Sequence, residues 1–355
     1  MSKILMKSGK IWNGECFSYG DVLVNNGIIE KIAACIDENA DFTFDASGKI
    51  VSCGLVDMHV HFKGVSSDAF GINAEMCTLP FGVTAAADAS GVSGDETALK
   101  RLGVKNKVFV CAEFKDNRAQ FDNTQKMMER YGKKCGGIKV YYDTAQADIS
   151  GAEPLQEVVR FAENNNLPVM VHSSNSPITM PELLNILRGG DILTHAYHGG
   201  KNNVSDDGYE CIRSAKKRGV IIDAGFAGHI HTDFNIFETA IKRGAVPDVI
   251  STDITRASAY KRGGRYGMTM CMSMARSAGM CEEDIFRCVT AAPARALGMK
   301  DEWGVLKEGG CADICVLEYA DEGFDLTDPR GNRIMSENGY RCILTIADGE
   351  VVYRR

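Results

Sequence analysis

Between residues 50 and 253, apolar runs short enough to be strands recur roughly every 25 to 30 residues, the length of one strand–helix unit. There are eight of them, at 50–58, 83–88, 108–114, 137–142, 169–172, 192–195, 220–224 and 249–253. Helical patterns fill gaps between them, at 123–134, 153–165, 181–188, 208–218 and 233–243. Such alternation implies a parallel sheet, because a parallel neighbour is reached only through a crossover connection. Eight units favour a closed (β/α)8 barrel over an open doubly wound sheet. No Gly-x-Gly-x-x-Gly opens a helix after the first strand, which argues against the dinucleotide-binding version of the open sheet.

The flanks have another texture. Short β-rich runs broken by Ser-Gly and Asn-Gly turns occupy 1–50, and similar runs return from 303 to 355. The two ends are expected to meet in one small β domain beside a barrel spanning 51–302. Asp348-Gly349, between two apolar runs, reads as a hairpin turn.

A net charge of −7 leaves no electrostatic footprint for nucleic acid. No apolar run approaches the roughly 20 residues of a bilayer span, and the first residues return to Lys and Gly before a signal-peptide core develops. The protein is therefore expected to be cytoplasmic, with no membrane partner. Its 13 cysteines are scattered without a Cys-x-x-Cys and read as small reduced hydrophobes.

In a barrel, chemistry sits at the C-terminal strand ends. The first strand ends in His59-Val60-His61, two imidazoles that an extended chain projects to one side. Later strands end in or contain Asp88, Glu113, Lys139, His172, His195 and Asp253, and all seven histidines fall between 59 and 231. Packing alone does not explain that clustering. Lys139 interrupts a strand that should be buried, where an ammonium is costly unless paired or neutralised. Residue types leave two solutions: an ion pair with Glu113 or Asp143, or carbamylation by carbon dioxide to give a metal-binding carboxylate.

Gly54-Leu55-Val56-Asp57-Met58-His59-Val60-His61, followed in order by Lys139, His172, His195 and Asp253, resembles the amidohydrolase superfamily, and within it the dihydroorotase, hydantoinase and deacetylase-like branch. Phrases such as 82–84, 250–253 and 290–294 share the resemblance, which spans nearly the whole chain. It implies a TIM barrel with a composite β-sandwich built from the two ends. It implies two divalent metal ions, zinc given the imidazole-rich donor set. His59, His61 and Asp253 would bind the more buried ion and His172 and His195 the more exposed one. An N6-carboxylated Lys139 and a hydroxide would bridge them, with Asp253 as proton shuttle. The reaction implied is hydrolysis of an amide, cyclic amide or ester bond in a small molecule, by a protein expected to be a homo-oligomer.

Candidate substrate contacts are Lys63, Asp88, His198, His229, His231 and Arg256. His229-x-His231 lies past the seventh strand in a Gly-containing loop, and reads as pocket lining, ordinary loop polarity or further metal ligation. Phe226 stands where a deacetylase-like relative is expected to carry a histidine. Arg256, Lys261, Arg262 and Arg265 form either a carboxylate clamp or a solvated loop. A dihydroorotase-type reaction would want an arginine near the first strand, where Lys63 is the one basic substitute. A non-catalytic binding protein on the same fold is the other alternative.

Overall fold

The computed structural model describes residues 3–67, 69–228, 230–261 and 263–355. Seven parallel strands lie side by side in chain order: Leu55–Val60, Val83–Asp88, Lys105–Lys115, Cys135–Tyr141, Val169–His172, Ile192–Thr194 and Ile221–Ile222. Neighbours in sequence are neighbours in space, so the α/β sheet curls in one direction. Leu55–Val60 and Val83–Asp88 are buried at every position, as expected when helices cover one face and packed side chains the other. Helix Glu153–Asn164 shows how the outer layer is held. It buries Leu155, Val158, Val159 and Ala162, which fall on one stripe of a 3.6-residue period, and Pro154 occupies its first turn, where no backbone donor is lost.

The expected eighth strand, 249–253, is not a regular strand. It makes isolated parallel bridges to both sheet edges, Asp223 to Val249 and Val60 to Ile254. The cause is a side chain in place of a ladder. The Asp57 carboxylate accepts the Thr252 backbone N–H at 3.1 Å and the Thr252 hydroxyl at 2.6 Å. Asp253 then turns into the left-handed region at φ 45°, with its N–H donating to the His59 carbonyl at 2.7 Å. The expected strand at 220–224 is regular only over Ile221–Ile222, after which Asp223 makes the isolated bridge to Val249 and Ala224 N–H donates to Val249 O at 3.0 Å.

The terminal segments share one sheet. Lys3–Trp12 pairs with Phe17–Asn25 and with Ile50–Cys53, which pairs in turn with Ile314–Ala320, and the sheet continues through Gly339–Ala347 to Glu350–Arg354. The first of the expected short β-rich runs is a single ten-residue strand, Lys3–Trp12, with a bulge between Met6 and Gly9. Asp348 and Gly349 have φ of 50° and 79°, the two left-handed residues of a tight hairpin. The hairpin Phe324–Thr327 with Arg333–Ser336 has no counterpart in the sequence reading. Gly54 is the joint where the chain leaves this sheet for the parallel one. A Cβ there would sit 2.0 Å from Thr84 Oγ1, so only glycine lets the two sheets approach this closely. Among the described residues no helix is long and apolar enough to cross a membrane.

Candidate metal centre

The strand ends bring the sequence-selected residues together around Asp253. Its Oδ1 lies 2.8 Å from His61 Nε2 and 3.3 Å from His59 Nε2, while Oδ2 lies 3.7 Å from His195 Nε2 and 4.0 Å from His231 Nε2. Two donor groups result, His59/His61/Asp253 and His172/His195/His231. Lys139 is fully buried, with Nζ 3.1 Å from His59 Nε2. All of these residues line one cavity of about 210 Å³ with Phe70, Tyr141 and Ile230.

Each imidazole is held by its outward nitrogen. His59 Nδ1 donates to Thr194 Oγ1 at 3.0 Å, and Thr194 in turn donates to Asp223 Oδ2 at 2.7 Å. His61 Nδ1 lies 2.9 Å from Ser90 Oγ, and His195 Nδ1 donates to the Gly225 carbonyl at 2.6 Å. His172 Nε2 faces Asp143 Oδ2 at 3.2 Å, and His231 Nδ1 lies 3.1 Å from Ser174 Oγ. A hydrogen-bond partner at one ring nitrogen holds each ring with its other nitrogen toward the cavity, the outer support that metal-binding histidines use. Backbone strain is concentrated here too: His195, like Asp253, is left-handed, at φ 54°.

Electrostatics suit the same task. Burial pushes His59 and His231 down to about 4, lowers His172, and drives His195 well below its ordinary value. These four imidazoles are thus neutral at neutral pH, as ligands must be. Burial opposes the Asp253 carboxylate, yet His59 and His61 override it and hold its pKa far below the usual range. Burial pushes Lys139 down to about 8, with Asp253 opposing the shift. The donor set, with inward lone pairs, a central carboxylate and no competing cation other than Lys139 among the described lining residues, fits a pair of divalent ions.

Residues 50–352 match the model of the Amidohydrolase family. The chain belongs to that family. It is a hydrolase acting on carbon–nitrogen bonds. A deacetylase of Enterococcus faecalis is 27% identical over 98% of both chains, and a dihydroorotase of Lactobacillus acidophilus is 23% identical over 99% of both. Among solved structures, a dihydroorotase superposes with a TM-score of 0.86 at 23% identity over 99% of each chain. An adenine deaminase gives 0.84 at 23% identity, again over 99% of each. At that identity the two structures establish a shared fold.

Other candidate residues of this amidohydrolase land elsewhere. The ion-pair solution for Lys139 is not realised: Asp143 is engaged by His172, and Glu113 is exposed. Asp88 does not reach the cavity. It is fully buried, and its oxygens accept from Phe62 N–H at 2.6 Å, Ser90 N–H at 2.9 Å and the Ser66 hydroxyl, so it organises the loop that orients His61. His198 is buried behind the site, with Nδ1 accepting from Gly200 N–H at 3.0 Å. Lys63 and Arg256 line a neighbouring cavity of about 730 Å³ instead. His229 and Arg262 lie outside the described residues. The sequence reading passed over Thr194, Ser174 and Asp223. Of these only Asp223, an acid closing an apolar run, carried a usable signal.

Proposed function

We propose that this amidohydrolase is a binuclear metal-dependent enzyme that hydrolyses an amide, cyclic amide or ester bond of a small molecule. The carrying observation is the convergence of inward-facing imidazoles on Asp253 beside a fully buried lysine. His59, His61 and Asp253 would hold one cation and His172 and His195 the other, and zinc would suit this donor set. Lys139, once N6-carboxylated, would add carboxylate oxygens to the same donor set. With its pKa near 8, an appreciable fraction of the amine is neutral at physiological pH. That lone pair forms the N–C bond to carbon dioxide with loss of a proton. The curled sheet and residues 249–254 then form the (β/α)8 barrel of 51–302, and 1–50 with 303–355 form the composite β-sandwich.

When bound, such a metal pair supplies Lewis acidity, making water nucleophilic near neutral pH and polarising the scissile carbonyl. The chain supplies the rest. Asp253, ionised and set between the two donor groups, takes the proton of the attacking water and returns it to the leaving nitrogen or oxygen. Thr194, Asp223 and Gly225 keep His59 and His195 from rotating away. The cavity of about 210 Å³ limits the group that reaches the centre to a small acyl or ring fragment. Identity to the deacetylase exceeds that to the dihydroorotase, and Lys63 stands outside the central cavity, so acyl removal is favoured over a dihydroorotase-type reaction. The filled donor set argues against a purely binding role.

The test couples metal analysis to a screen of N-acyl amino acids, cyclic imides and acyl esters. Two transition-metal equivalents and turnover of at least one class are expected. Protein grown with zinc and bicarbonate that holds no transition metal would sink the proposal.

Gly225 offers a further check. At φ 50°, a Cβ there would lie 2.5 Å from Thr194 Oγ1 and 2.8 Å from His195 Nδ1. Gly225→Ala is expected to cost about 1–3 kcal/mol of stability and to weaken zinc binding roughly 10- to 100-fold by displacing both orienting bonds. Denaturant unfolding and zinc competition measure the two effects, and wild-type values in both would show that the glycine is dispensable.

A further inference from the structure

His231 is left over by the two-metal assignment, and its surroundings are not those of a loose loop residue. Its ring centroid lies 4.1 Å from that of His195 and 4.9 Å from that of His172, while His172 and His195 are 4.7 Å apart. The three rings form a nearly regular triangle, and one nitrogen from each lies within 4.8 Å of the others. Zinc–nitrogen bonds of about 2.0–2.1 Å at tetrahedral angles draw three such atoms to roughly 3.3 Å, a contraction within reach of side-chain rotation.

The position is also built. Thr232, next in the chain, makes an antiparallel bridge to His198, and Asp233 caps helix Phe234–Lys242 by accepting from Ile236 N–H at 3.0 Å. Two residues upstream of that cap, His231 has its backbone set by fixed neighbours. Its Nδ1 lies 3.1 Å from Ser174 Oγ, and each of the other four imidazoles is likewise held at one ring nitrogen by a partner outside the cavity. Nε2 is thereby turned toward Asp253 Oδ2, at 4.0 Å beyond hydrogen-bond reach. A mostly buried imidazole whose inward nitrogen lies with two others around one point is arranged as a ligand rather than as a solvated polar group.

We infer that His231 is a third imidazole ligand of the cation held by His172 and His195, forming a three-histidine set that retains this cation even when Lys139 is not carboxylated. The inference rests on the metal-dependent reading above. Three imidazoles with a remaining open position are a complete catalytic zinc set in themselves, so the bridge would tune this position rather than create it.

The test is titration with cobalt(II), followed by its visible absorption and by metal analysis, on full-length protein. Wild type with bicarbonate is expected to take up two equivalents. The double variant His59→Ala/His61→Ala, prepared without bicarbonate and checked for folding by circular dichroism, is expected to keep one. Adding His231→Ala to that variant should weaken the remaining site at least about 100-fold, the upper end of what losing an outer partner costs. Adding Ser174→Ala, which frees only the orienting bond, should weaken it roughly 10-fold. Unchanged cobalt affinity on adding His231→Ala overturns the assignment and leaves the two-metal reading standing. So does a double variant that binds no cobalt while wild type binds two, since the set would then not suffice without the bridge. Wild type that binds fewer than two equivalents overturns the two-metal reading instead. The His231 assignment then stands only if the single remaining equivalent is lost with His231→Ala.

Discussion

Asp253→Asn is expected to lower kcat by about 10²- to 10⁴-fold, the range for loss of a positioned proton-transfer group, while most of the bound metal is retained. The asparagine keeps the size of the side chain and one carbonyl oxygen toward His59 and His61, which contact Oδ1 at 3.3 and 2.8 Å. It loses the ionised oxygen that faces His195 and His231. An amide does not take up a proton near neutral pH, so attack and leaving-group departure are both left without their relay. Backbone placement should survive, because Thr252 remains tied to Asp57 and the residue 253 N–H to His59 O. Steady-state kinetics with metal analysis on the same sample decide the matter. Wild-type turnover at full occupancy would remove Asp253 from the proton path.

Lys139→Met should separate stability from activity. Lys139 is fully buried, and its nearest polar partner is His59 Nε2 at 3.1 Å, with Met170 Sδ at 3.6 Å. The depression of its pKa from 10.5 to about 8 corresponds to roughly 3 kcal/mol spent on keeping the ammonium in place. Methionine fills similar volume without charge, so the metal-free variant is expected to unfold with a free energy about 1–3 kcal/mol higher than metal-free wild type. Turnover should fall by about 10²-fold or more with the bridging carboxylate gone, as for loss of a principal electrostatic group. Mass spectrometry of the native enzyme should show the added mass of one carbon dioxide, absent from the variant. A stable variant with wild-type kcat would rule out the bridge.

Much of this was legible because periodicity and residue chemistry are local properties. Strands at 83–88 and 169–172 match the sequence reading residue for residue, since apolar runs between turn signals have few other uses. His59, His61, Lys139, His172, His195 and Asp253 could be picked out because imidazoles, a lysine and a carboxylate at successive strand ends have little packing rationale. Where the reading failed, a side chain had replaced the backbone: the Asp57 carboxylate takes the place of a ladder partner at Thr252, turning the eighth strand into a bridge. Asp88 looked like a substrate contact because it ends a strand, and burial makes it a loop anchor instead. The serines and threonines that orient the imidazoles carried no signal, because hydroxyls are common and their meaning lies in which ring they meet.

The sequence by itself determined the alternating strand–helix order, the shared texture of the two ends and the identities of the donor atoms. These depend on side-chain type and on the two short periods of strand and helix. Only the tertiary structure decided which nitrogen of each histidine faces inward, that Lys139 has no carboxylate ion-pair partner among the described residues, and that His231 joins His172 and His195. Those facts depend on groups far apart in the chain, Thr194 against His59 and Ser174 against His231 among them, whose approach is set by sheet curvature and burial rather than by spacing.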